Sequence, residues 1–176
     1  MVAYRRHWLA GGTYFFTVTL KDRKSRWLVE RIDDLKEAIR SVQLERPFRI
    51  DALVVLPEHL HTIWSLPHGD ADYAARWQMV KARFSRRLAK SSAGISCNEQ
   101  GEYNLWQRRY WEHTLRNERD LQQHMDYVYY NPVKHGWVRQ VAQWPYSTFH
   151  RDVRKGIYPQ NWAGGSDNLD DSGYGE

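Results

Sequence analysis

Hydrophobic and polar positions divide the chain into short elements. Residues Thr13 to Leu20 (TYFFTVTL) are aromatic and β-branched and follow a Gly-Gly turn, which predicts a strand. From Asp33 to Leu44, Leu35, Ile39 and Val42 recur at helical spacing, with Asp33 as the expected cap. Phe48 to Leu56 and His59 to Leu66 predict two strands joined as a hairpin through Pro57-Glu58. A second helix is expected from Ala71 to Lys90, with Trp77, Val80, Phe84 and Leu88 as its apolar stripe. After a polar loop from Ser91 to Tyr103, Trp106 to Leu115 predicts a strand. Asn117 is placed to cap a third helix from Glu118 to Tyr130, with Leu121, Met125 and Val128 facing the core. Pro132 sets its expected end near Asn131.

The order β-α-β-β-α-β, then a helix, predicts an α+β fold: a ferredoxin-like (RRM-like) antiparallel sheet with helices on one face. The other face is expected to be open and to carry any site. The chain of 176 residues is long enough for one domain, expected over residues 1–163. From Gly164 the composition turns to Gly, Ser and Asp, and residues 164–176 are expected to form a flexible acidic tail.

Charge narrows the function. A net charge of +5 favours a polyanionic partner, nucleic acid before others. Nine tryptophans and eleven tyrosines are unusually many; some belong to the core, but aromatic rings also stack on bases. The single cysteine, Cys97, excludes an intrachain disulfide and a Cys-based metal site, in keeping with a reducing compartment. No apolar run reaches the length of a membrane span, and the basic stretch from Met1 to His7 lacks the apolar segment of a signal peptide. A cytoplasmic protein is expected.

Two segments carry candidate chemistry. In His59-Leu60-His61, alternation along a strand turns both imidazoles to one side, where they can hold one divalent ion; two polar surface residues are the bland alternative. In Asp126-Tyr127-Val128-Tyr129-Tyr130-Asn131-Pro132, Tyr127 and Asn131 share a helix face. Asn131 offers a carbonyl oxygen to a hard ion. A tyrosine hydroxyl, with an ordinary pKa of about 10, attacks a phosphate only with help such as an adjacent ion. Packing at a helix end is the alternative for all three tyrosines.

The sequence resembles the REP-associated tyrosine transposases, relatives of the single-tyrosine HUH transposases. The matching segments are Gly11 to Thr17 (GGTYFFT), Val54 to His61 (VVLPEHLH), Trp106 to His113 (WQRRYWEH), Asp126 to Gly136 (DYVYYNPVKHG) and Trp144 to His150 (WPYSTFH). The resemblance implies an HUH form of the ferredoxin-like sheet. It implies His59 and His61 as the metal pair for Mg²⁺ or Mn²⁺ and Tyr127 as the nucleophile. Asn131 falls where insertion-sequence relatives often carry a Gln as third ligand. The implied partner is single-stranded DNA with a REP-type hairpin, cleaved beside a guide tetranucleotide to give a 5′-phosphotyrosine and a free 3′-hydroxyl. A nucleoid-associated monomer is expected, against the homodimers of insertion-sequence relatives.

Two other functions compete: a catalytically inactive module that binds structured single strands, and a phosphoesterase that uses water. Candidate DNA contacts are Lys81, Arg83, Arg86, Arg87 and Lys90 on the second helix, Arg108 and Arg109 beside Tyr110 and Trp111, and Arg5 and Arg6 as an N-terminal arm. The acidic tail, with Asp167, Asp170, Asp171 and Glu176, is read as disordered by default; its opposite charge raises the alternative that it folds over the basic face and competes with DNA.

Overall fold

The computed structural model describes residues 9–92, 94–165 and 174–175. The elements run β1 (Thr13–Thr19), α1 (Trp27–Glu30), α2 (Ile32–Glu45), β2 (Arg49–Val55), β3 (His59–Ser65), α3 (Tyr73–Ala89), β4 (Trp111–Thr114), α4 (Glu118–Lys134), a 3₁₀ turn (Val141–Gln143) and α5 (Phe149–Arg154). The four strands form one antiparallel sheet in the order β2-β3-β1-β4, the α+β ferredoxin-like arrangement expected.

Alternation along the central strands decides what each face holds. Tyr14 and Phe16 of β1 share a face with Trp64 of β3, and α3 packs there: Trp77 stacks on Trp64 at 4.1 Å, and Tyr73 lies 4.8 Å from Tyr14. Helix α2 packs beside α3. Phe15 and Thr17 share the opposite face with His61, which pairs with Thr17 across the ladder. Helix α4 lies across this second face, its Tyr127 ring edge-on to Phe15 and His61. The helices therefore cover both faces, and the face expected to stand open is roofed by the helix that carries Tyr127. The cause is in α4 itself, which buries Tyr127, Val128 and Asn131 and so offers a broad packing surface.

Several boundaries differ from expectation. Helix α2 begins at Ile32 with Arg31 at its cap, so Asp33 sits in the first turn, where its charge suits the helix dipole. The expected strand from Trp106 shrinks to Trp111–Thr114; a single Leu20–Trp106 bridge and the Gln107 N–H bond to Thr19 are what remains of the ladder at its start. Helix α4 keeps its Asn117 cap but passes Pro132 and runs to Lys134. Pro132 forfeits one amide bond, and its fixed φ fits a helix. The stop is Gly136 at φ 71°, where the Trp137 and Gly136 N–H groups close back on the Pro132 and Val133 carbonyls.

Residues 146–148 and α5 were not expected as structure. The segment runs along the free edge of β2, with Val55 N–H donating to Tyr146 and Thr148 N–H donating to Leu53, both at 2.9 Å. Among the described residues, no helix is long and apolar enough to cross a membrane. The expected acidic positions of the tail and the arginines of the N-terminal arm, Arg5 and Arg6, lie outside the described residues.

Candidate metal and nucleophile site

β3 places His59 and His61 on the α4 side, and both side chains are buried. Their rings lie 4.9 Å apart at 81° to one another. Each ring is fixed from behind. His59 Nδ1 bonds Glu58 Oε1 at 2.8 Å, and His61 Nδ1 bonds Thr17 Oγ1 at 2.8 Å. Thr17 spends its one hydroxyl proton on the Tyr174 carbonyl at 2.6 Å, so it accepts from His61. Both imidazoles thus carry the proton on Nδ1, and Nε2 keeps the lone pair. A carboxylate or hydroxyl behind each ring is the usual support of a metal-binding histidine. This donor set fits a hard or borderline divalent ion.

Burial works against the charge of Glu58, but the His59 hydrogen bond and the nearby Arg23, 3.6 Å away, outweigh it and hold the carboxyl below its ordinary value. Glu58 is therefore ionised at neutral pH.

The α4 tyrosines divide cleanly. Tyr127 faces the histidines, its ring 5.2 Å from that of His61 and 6.1 Å from Phe15. Tyr129 points away; its hydroxyl donates to Asp152 at 2.5 Å and ties α4 to α5. Burial, followed by that carboxylate, pushes the Tyr129 hydroxyl far above its ordinary range, which disqualifies it as a nucleophile. Tyr130 is half-buried. Asn131 is buried one turn beyond Tyr127 on the same face.

The longer helix adds residues that sequence reasoning missed. Lys134 donates to the Tyr127 hydroxyl at 3.1 Å, and the His135 ring lies 5.3 Å from that of His59. Continuing the helical count through Pro132 would have found both. Tyr174 lies flat on Tyr127, with ring centroids 3.7 Å apart and planes 5° from parallel. No local pattern announces that contact, because it joins residues far apart in the chain.

A second cluster, His113, Asp120 and His124, brings potential ligand atoms within 4.8 Å. The His113 and His124 rings stack in nearly parallel planes, 8° apart, so their in-plane lone pairs do not converge on one ion. Asp120 accepts from His113 Nε2 and from the Arg116 N–H, while His124 Nδ1 donates to the Asp120 carbonyl. The cluster clamps β4 to the start of α4.

The expected DNA contacts scatter. Helix α3 lies on the sheet face away from Tyr127. Arg83 bonds Ser41 and pairs with Glu45, and Arg87 lies within 4 Å of Asp34 and Glu37, so these charges join α3 to α2. Lys81 turns inward: its ammonium donates to the Gln107 carbonyl and lies over the Trp106 and Tyr110 rings, and burial pushes its pKa down to about 8. Arg86, Lys90, Arg108 and Arg109 remain exposed. The histidine end of the sheet has its own cations: Arg23 sits beside Glu58, and Arg26 lies over the exposed Trp137 ring at 5.6 Å.

The chain belongs to the IS200-like transposase family, whose model matches residues 10–131. A transposase is an enzyme that cleaves DNA. The chain is 51% identical to the REP-associated tyrosine transposase of Escherichia coli (strain K12) over 164 residues, 93% of this chain and 92% of that protein. A Haemophilus influenzae protein of the same family name (strain ATCC 51907 / DSM 11121 / KW20 / Rd) is 44% identical over 95% of this chain and 96% of its own length. A solved structure of the REP-associated tyrosine transposase bound to a REP hairpin superposes with a TM-score of 0.88 at 48% identity, covering 100% of this chain and 98% of that one. The branch is therefore that of the REP-associated tyrosine transposases.

The support behind His59 gives a direct prediction. Glu58→Gln weakens binding of Mn²⁺ by about 10- to 100-fold in a calorimetric titration. Unchanged affinity contradicts the role assigned to the carboxylate.

Proposed function

We propose that this chain cleaves and rejoins single-stranded DNA carrying a hairpin, through a covalent 5′-phosphotyrosine at Tyr127. The observation that carries this reading is the Tyr127 ring, 5.2 Å from His61 on the face that also holds His59. The relative bound to a REP hairpin, alike over the whole chain, supports a hairpin of that type as the substrate.

His59 and His61 would hold a divalent ion, Mg²⁺ or Mn²⁺, with Asn131 as third donor. When bound, the ion supplies Lewis-acid polarisation of a phosphate oxygen. Glu58 and Thr17 keep the two rings in place. Tyr127 Oη attacks the scissile phosphorus. An O–P bond forms and the bond from phosphorus to the 3′-oxygen breaks. The phenolic proton passes to water, and the departing 3′-oxygen takes one from water. Attack by another 3′-hydroxyl on the phosphotyrosine reverses these changes and completes strand transfer. The set is complete within one chain, which supports action as a monomer.

Tyr127 is fully buried, and Tyr174 is part of its cover. A phosphate reaches Tyr127 only after the Tyr174 ring has left that stack. This constraint separates binding of a hairpin from cutting it.

The test is a denaturing gel after incubation with Mn²⁺ or Mg²⁺ and a labelled single-stranded hairpin oligonucleotide. A slow covalent band is expected, absent in Tyr127→Phe and strongly reduced in His59→Ala and His61→Ala. Cleavage without a protein adduct points to a water nucleophile, and binding without either product points to a pure binding module; both contradict the proposal. Tyr174→Ala is expected to form the adduct faster than the parent protein. An equal or slower rate shows that the stack does not guard the nucleophile.

A further inference from the structure

The geometry points to Lys134 as a catalytic residue that stabilises negative charge on the Tyr127 oxygen, an inference that rests on Tyr127 being the nucleophile. Lys134 follows Tyr127 by two helical turns, which brings its side chain back to the same face of α4. It gets there because the helix passes Pro132 and stops at Gly136. Its ammonium donates to Tyr127 Oη at 3.1 Å and lies 4.9 Å from the ring centroid. The residue is half-buried, so the charge acts with less screening than a surface cation would meet.

The oxygen that Lys134 touches is the reacting atom in both directions. In cleavage it loses its proton to water and forms the bond to phosphorus, while the bond from phosphorus to the 3′-oxygen breaks. In rejoining it is the leaving group: the tyrosyl O–P bond breaks and the electron pair returns to the phenolic oxygen. Negative charge builds on that oxygen in each direction. A donor already aimed at it meets the charge without reorganising. Meeting that charge in the transition state lowers the barrier in both directions, so Lys134 speeds cleavage and rejoining alike. The histidine pair acts on the phosphate; Lys134 acts on the nucleophile, which at ordinary acidity is a weak one.

The experiment uses the full chain, Mn²⁺ and a labelled single-stranded hairpin oligonucleotide selected for cleavage from a pool with randomised flanks. Single-turnover adduct formation and DNA affinity are measured in parallel. Lys134→Met is expected to slow the adduct step about 100-fold, while the Kd for DNA stays within about twofold. Lys134→Arg keeps a donor cation and is expected to lose no more than about tenfold. Where the Met variant does not fold, Lys134→Gln gives the same comparison. Installing 3,5-difluorotyrosine at position 127, a more acidic phenol, is expected to return about tenfold or more of the rate lost in the Met or Gln variant.

A parental rate in Lys134→Met overturns the inference. So does a loss matched by weaker DNA binding, or a defect that the acidic tyrosine does not relieve. An adduct that persists in Tyr127→Phe overturns the reading beneath it, which keeps the two failures apart.

Discussion

The structure depends on one packing relation, α4 laid across the sheet face that carries His59 and His61. Strand alternation sends those two side chains to one side. The helix then has to bury its own face there, and His124, Tyr127, Val128 and Asn131 are among the residues it buries. Shift α4 by a residue and the tyrosine rotates by about 100° away from the histidines. The opposite face, with Trp64, Trp77, Tyr73 and Phe16 packed ring against ring, anchors the sheet from the other side.

Around that relation the site is built of supports as much as of reactive groups. Glu58 and Thr17 each fix one imidazole, and Lys134 and Tyr174 each touch Tyr127. Thr17 links two of these jobs, because the hydroxyl that orients His61 also holds the Tyr174 carbonyl. The cover over Tyr127 and the orientation of His61 therefore share one hydrogen-bonded residue.

The elements that a local period specifies were legible in the sequence. His59-Leu60-His61 sits on a strand of clear pattern, and Tyr127 lies in a helix with a strong cap at Asn117. Pro132 was misread because a proline near a helix end weighs against continuation, whereas the Gly136 closure four residues beyond decides it. That error hid Lys134 and His135. The surroundings of the basic stripe on α3 were hidden for a different reason. Arginines beside an apolar stripe look like a solvated or DNA-facing surface, but Glu45, Asp34 and Glu37 of α2 meet Arg83 and Arg87 there. Such pairs depend on how two helices pack, and no window of sequence contains both partners. The Tyr174 stack belongs to the same class of long-range contact.

Three tyrosines stand within four residues of α4, and the account rests on one of them. Its most direct test is to trap the covalent complex with hairpin DNA, digest both components, and locate the residual nucleotide by tandem mass spectrometry. The account predicts a 5′-phosphonucleotide on Tyr127 and none on Tyr129, Tyr130 or Tyr174. A nucleotide found on any of those three, with Tyr127 unmodified, contradicts it.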